Sequence, residues 1–103
     1  MKISTFELKS TAAALMRTEI LYSVASARAM GDEIVELVFK TDDEKSGKCA
    51  FKVVKELKKQ GKIKVFSLAK DIEGQSKESE YLLNKYPDLK NYSDKTESII
   101  VML

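Results

Sequence analysis

Polar and apolar residues alternate from Ile3 to Lys9 (ISTFELK), with Phe6 and Leu8 on one side and Glu7 and Lys9 on the other, which predicts a half-buried strand. The spacing then changes. Ala13, Met16, Ile20, Val24 and Ala27 advance by threes and fours, Leu21 widens the same face, and a helix is predicted from Ala12 to Met30. Ser10 or Thr11 is expected to cap it, because a hydroxyl there can accept a free N–H of the first turn. Gly31 supplies the left-handed stop. Glu33 to Phe39 is rich in apolar and β-branched residues, as befits a central strand covered on at least one face.

A second helix is predicted from Ser46 to Gln60, ending at Gly61. Ala50, Val53, Val54 and Leu57 fall on one arc of it, and Lys48, Lys52, Lys55 and Lys59 line up opposite. Ile63 to Leu68 (IKVFSL) reads as a third strand. Residues 74 to 98 are less regular, with a short helix around Lys77 to Tyr86 that Pro87 ends. Ser98 to Leu103 (SIIVML) is a closing strand. The expected fold is α/β: a two-layer sandwich with a mixed sheet of about four strands, two main helices in the order β-α-β-α-β-β, and a short extra helix before the last strand. Helical crossovers predict parallel neighbours within that sheet.

The chain has 103 residues, enough for one domain over residues 1–103 and too few for two cores. Apolar residues at 44% and charged residues at 33% give the balance of a globular domain, not a disordered one. No apolar run is long enough to span a bilayer, and MKISTFELKS lacks the apolar core of a signal peptide. A single cysteine, Cys49, rules out an internal disulfide and fits a reducing cytoplasm, the expected location. No membrane partner is expected.

Net charge is only +2, but it is unevenly spread. Residues 48 to 64 hold seven lysines against Glu56 alone, while residues 32 to 44 hold Asp32, Glu33, Glu36, Asp42, Asp43 and Glu44 against Lys40. The junction between these regions, FKTDDEKSGKCAF, has the outline of a phosphate-handling turn. A P-loop, however, needs a glycine where Asp42 stands and a hydroxyl where Cys49 stands. The acidic run lacks the alternating ligand spacing of a calcium loop, so a solvated turn is expected and no metal site is assigned. The chain contains no histidine, which excludes a zinc site and a serine–histidine pair. Cys49, beside Lys48 and near a helix start, has some thiolate-favouring features, but its place next to the apolar stripe argues for burial. No catalytic residue and no cofactor is assigned.

The lysine face has two readings, a solvated surface opposite a core stripe or a contact for nucleic-acid phosphates. Tyr81, Tyr86 and Tyr92 lie among Lys85, Lys90 and Lys95 and are candidates for stacking on unpaired bases; the plainer reading is that Tyr81, Leu82 and Tyr86 hold the short helix down.

Taken in order, these segments resemble the Smr domain, the small MutS-related module. In that family a first strand ends Leu-Asp-Leu-His-Gly before a capped helix, and a second ends in a His-Gly-x-Gly loop before the next helix. FELKST, Phe6 to Thr11, stands at the first motif with Phe6 and Leu8 at its apolar positions. VFKTDDEKSGK, Val38 to Lys48, stands at the second, with Gly47 matching one of its glycines. IKVFSLA (Ile63 to Ala69) and ESIIVML (Glu97 to Leu103) resemble the last two strands. The motifs are degenerate. Glu7 replaces the aspartate, Lys9 the histidine and Ser10 the glycine, Phe39 or Lys40 occupies the second histidine position, and residues 74–95 are an insert. Smr domains bind nucleic acid and many cut it. The resemblance therefore implies the fold and a nucleic-acid surface, while the loss of imidazole removes the family's means of proton transfer. Glycine loss at Thr41 and Asp42 also keeps the loop backbone from approaching a phosphate closely.

The expected function is a nucleic-acid-binding accessory module without nuclease chemistry, using Lys48, Lys52, Lys55 and Lys59, with Lys9 at the rim. The alternative is a protein-interaction or self-assembly module in which the acidic 32–44 region of one molecule meets the basic 48–64 region of another. A third reading is a residual metal-dependent endonuclease using Glu7 and the Asp42–Glu44 cluster.

Overall fold

Every strand contributes inward-facing apolar residues to both sides of a single four-stranded mixed sheet. The computed structural model describes residues 2–39, 44–74 and 76–103. Strand β1 (Ile3–Glu7) leads to helix α1 (Ala13–Ala29), strand β2 (Ile34–Val38), helix α2 (Glu44–Lys59) and strand β3 (Val65–Leu68). A 3-10 turn at Ala69–Asp71, helix α3 (Lys77–Lys85) and a second 3-10 segment at Pro87–Tyr92 precede strand β4 (Ser98–Met102). The strand order is β1-β2-β4-β3. β1 and β2 are parallel, whereas β4 runs antiparallel to both β2 and β3. The crossover through α2 therefore ends one strand away, leaving a gap that β4 fills. This is the expected α/β sandwich with a mixed sheet.

One face of the sheet carries Val35, Leu37, Ile99 and Val101 against Met16, Ile20 and Val24 of α1 and Val53, Val54 and Leu57 of α2. The opposite face carries Ile34, Ile100 and Met102, and these are covered by Ile72, Leu82 and Leu89 from the 3-10 turns and α3. The segment from Ile72 to Leu89 thus covers the second face of the sheet. All five residues of β4 are buried, as expected of a strand flanked by neighbours and covered above and below.

Both long helices end in the same way. Gly31 and Gly61 adopt positive φ (77° and 73°), Gly31 N–H bonds Arg28 O and Asp32 N–H bonds Ala27 O, and Gly61 and Lys62 repeat the pattern on Lys58 and Leu57. These are Schellman stops at the two glycines the sequence marks.

The helix starts do not all follow expectation. Ala12 is the N-cap of α1, with no side-chain bond, so neither Ser10 nor Thr11 caps it. The Glu19 carboxylate instead accepts the N–H groups of Lys9 (2.9 Å) and Ser10 (2.8 Å), which precede the helix, and the Ser10 hydroxyl is engaged with the same carboxylate. Ala13 is exposed, and so is Tyr81, while Leu82 and Tyr86 hold α3 as expected. Cys49 is half-buried against the core.

Glu36 is the largest departure. Expected as part of an acidic surface, it is buried on β2, where it accepts hydrogen bonds from Thr5 Oγ1 (3.0 Å) and Ser98 Oγ (2.8 Å) and pairs with Lys95 Nζ at 3.2 Å. Asp32 is bonded to the Ser4 hydroxyl. Asp42 and Asp43 lie outside the described residues. Of the acidic 32–44 region, the carboxylates exposed among the described residues are Glu33 and Glu44.

Candidate functional site

Because β1 and β2 are parallel neighbours, the segments that follow them emerge at the same end of the sheet, joined by the bond from Leu8 N–H to Val38 O (2.7 Å). Glu7, Lys9, Ser10 and Phe39, the residues compared above with the Smr motifs, lie there, while Lys40 lies outside the described residues. The Lys9 and Ser10 donors of the first segment are already engaged by Glu19. Burial works to raise the pKa of Glu19, but the N–H groups of Lys9 and Ser10, the Ser10 hydroxyl and the Lys9 charge outweigh it and hold the carboxyl below its ordinary value. Lys9 thus has an anion beside it. Across the gap, the Phe39 ring lies against the first turns of α2, where a β-carbon on Gly47 would come within 2.9 Å of it. An aromatic ring thus fills the space next to Gly47. No group of three or more metal-ligating side chains occurs among the described residues.

The cationic surface lies elsewhere. Lys48, Lys52, Lys55 and Lys59 are all exposed on α2, within an arc of roughly 60° opposite Ala50, Val54 and Leu57 at about 100° per residue. Their positions along the helix axis span about 16 Å at ~1.5 Å per residue. None of the four pairs with a described carboxylate. Ion pairs of this helix among the described residues include Arg17 with Glu56 and Lys58 with Glu78 (3.8 Å). The four-lysine set expected from the sequence is therefore one continuous face of α2, while Lys9 lies on the segment after β1.

Sequence reasoning missed what borders that face. Phe51, within the polar arc of α2 and 37% exposed, packs edge-on against Phe66 of β3, with centroids 5.3 Å apart and planes at 73°. Lys58 Nζ lies 5.9 Å from the Phe66 ring centre. A groove of about 790 Å³ opens over these rings, between α2 on one side and Asp71, Gly74 and Glu78 on the other. The available signal was Phe51 itself, an aromatic one helical turn from both Lys48 and Lys55. Of the three tyrosines weighed for stacking, Tyr81 is exposed on α3, while Tyr86 and Tyr92 pack against the second core, with Lys85 near Tyr86 and Lys95 Nζ 4.8 Å from the Tyr92 ring. No helix among the described residues is long and apolar enough to cross a membrane.

No protein family, curated protein or solved structure matches this chain.

Proposed function

We propose that this protein is an Smr-like nucleic-acid-binding module that acts without nuclease chemistry. The observation that carries this reading is the α2 face, where four ammonium groups project to solvent with no described carboxylate to neutralise them. Polyanion binding through such a face is driven by counterion release, so it needs no enclosed site. The order of elements and the meeting of the two motif segments at one end of the sheet support the Smr-like reading. The motif positions carry carboxylate, ammonium, hydroxyl and phenyl groups where that chemistry needs imidazole. The setting that suits a lone, half-buried thiol is the reducing cytoplasm.

The test is a salt-varied titration with single-stranded and duplex RNA and DNA, with cleavage followed in the same tubes. Four phosphate contacts predict a slope of about −2.8 for log K against log salt on a single strand, or about a 50-fold loss between 50 and 200 mM. Replacing Lys48, Lys52, Lys55 and Lys59 with glutamate should abolish binding. Unchanged affinity in that variant, or turnover that depends on Glu7, would refute the reading.

A second reading, an interaction or assembly module, is favoured by a different surface. Leu15 and Tyr22 are 61% and 70% exposed on α1, on an uncharged stripe with Thr18, Ala25 and Ala29. A helix uncharged on its solvent side has the character of one that is covered. Sedimentation at low and high salt tests it. A monomer under both conditions counts against self-association, and salt-insensitive association would point to α1, not to charge.

A further inference from the structure

The groove beside α2 differs on its two sides. Its floor is aromatic, formed by Phe51 and Phe66 with Leu68 beside them, and its α2 rim carries Lys55 and Lys59. The far rim carries Asp71 and Glu78, and Lys58 reaches across to Glu78 (3.8 Å). Cations on one side and exposed ring surface between them suit a ligand with a charged backbone and flat apolar substituents. We propose that this groove receives unpaired bases of a single-stranded nucleic acid, with its phosphates following Lys55 and Lys59. The inference rests on the proposed nucleic-acid reading of the α2 face and adds to it a preference for single strands.

The physical basis is that base–aromatic stacking tolerates any base but requires an unstacked one, and a duplex keeps its bases inside. Phe51 lies one turn from Lys48 and one from Lys55, so a strand laid along the lysines passes the ring between two phosphate contacts. The acidic far rim confines the backbone to the α2 side by like-charge repulsion. An extended peptide adding to the free edge of β3 is the competing occupant. β3 is only four residues long, so alternate residues give it few outward backbone groups for strand addition. Two phenyl rings beside unneutralised lysines fit nucleobases better.

Fluorescence anisotropy with a labelled single-stranded RNA and a matched RNA hairpin stem tests the proposal. Phe51→Leu keeps an apolar side chain and should weaken single-strand binding about 5- to 30-fold, the loss of roughly one stacked base, while duplex affinity changes less than about twofold. Lys55→Gln with Lys59→Gln should weaken both and lower the single-strand salt slope by about 1.4. A 4-thiouridine-substituted strand should cross-link under long-wave light to Phe51, Phe66 or their immediate neighbours, a readout that needs no variant. Unaltered single-strand affinity in Phe51→Leu, or cross-links confined to the end of the sheet near Lys9, overturns the groove proposal and leaves the lysine reading standing. Absence of any binding by the unaltered protein removes both. A peptide that binds the groove and is lost in Phe51→Leu, with RNA affinity intact, assigns the groove to strand addition.

Discussion

Lys95 should anchor the insert to the sheet, and its removal tests how a half-exposed cation serves a buried anion. The Glu36 side chain is 2% exposed and Lys95 is 41% exposed. Breaking a fully buried pair costs about 3–5 kcal/mol, and breaking a surface pair costs less than about 1. Lys95→Met leaves the carboxylate with the Thr5 and Ser98 hydroxyls and opens a side from which water can approach. The expected loss therefore lies between those limits, at about 1.5–3 kcal/mol, and it includes the contact of the ammonium with the Tyr92 ring at 4.8 Å. Glu36→Gln is expected to cost less than about 1 kcal/mol, because an amide can still bond both hydroxyls and Lys95 can turn to solvent. Urea unfolding at neutral pH gives each value. With a slope near 1–1.5 kcal/mol per molar, Lys95→Met should move the midpoint by about 1–3 M.

The decisive quantity is the double-mutant cycle. In the Glu36→Gln background, Lys95→Met should cost about 1–2 kcal/mol less than in the parent, since there is no longer a charge to strand. Hydrogen exchange should show faster opening of Lys77–Lys85 and Pro87–Tyr92 in Lys95→Met, because Lys95 ties the Glu36 carboxylate of β2 to the Tyr92 ring and α3 packs on that 3-10 segment. A coupling under about 0.3 kcal/mol would mean that the carboxylate does not sense the ammonium, and the reasoning would fail.

Two further predictions concern the end of the sheet where the motif segments meet. The Glu19 carboxyl is held below its ordinary value in the folded chain, so its stabilising contribution is fully present above roughly pH 4–5 and is lost as pH falls through the folded value. Glu19→Gln should therefore cost less than about 1 kcal/mol at pH 7, solvent screening limiting the charge contribution, and converge on the parent in acid; a deficit independent of pH between 7 and 3 in urea melts would contradict it. Gly47→Ala should fail to deliver the ~1 kcal/mol that a helical glycine-to-alanine change ordinarily brings, because the new β-carbon meets Phe39 at 2.9 Å, whereas adding Phe39→Leu should recover it. Thermal melts showing full stabilisation by Gly47→Ala alone would indicate that the ring yields freely.

What the sequence made legible is what depends on local period. The core arc of α2 was readable because Ala50, Val53, Val54 and Leu57 alternate with lysines, and the two helix stops because Gly31 and Gly61 follow the last periodic residues. What failed was long-range. The insertion of β4 between β2 and β3 depends on the pairing of Val38 with Ser98 and Leu68 with Ile99, which no local pattern encodes. Glu36 sits in an apolar run, yet its partners come from Thr5, Lys95 and Ser98, each on a different segment, so its burial was not visible. Ser10 is a good cap by type, but Glu19, two turns into the helix, offers the Lys9–Ser10 backbone a charged acceptor. Phe51 and Phe66 meet only when α2 packs beside β3.

The two candidate anion sites of this chain differ in what a phosphate must displace. At the end of β1 it would compete with the Glu19 carboxylate for two charge-assisted hydrogen bonds, each worth about 1.5–3 kcal/mol, and the displaced carboxylate would remain nearby to repel it. On α2 it displaces only mobile counterions, and the release of these favours binding. A polyanion offered both sites should therefore settle along Lys48, Lys52, Lys55 and Lys59, with its path set by the helix axis and not by the sheet end. Glu19→Gln removes the built-in anion and so offers a direct test of this competition. If the sheet end is closed because its donors are taken, that variant should gain a second, weaker phosphate contact near Lys9 and a steeper salt slope. If it binds as the parent does, the closure has another cause, and Phe39 against Gly47 is the next group to change.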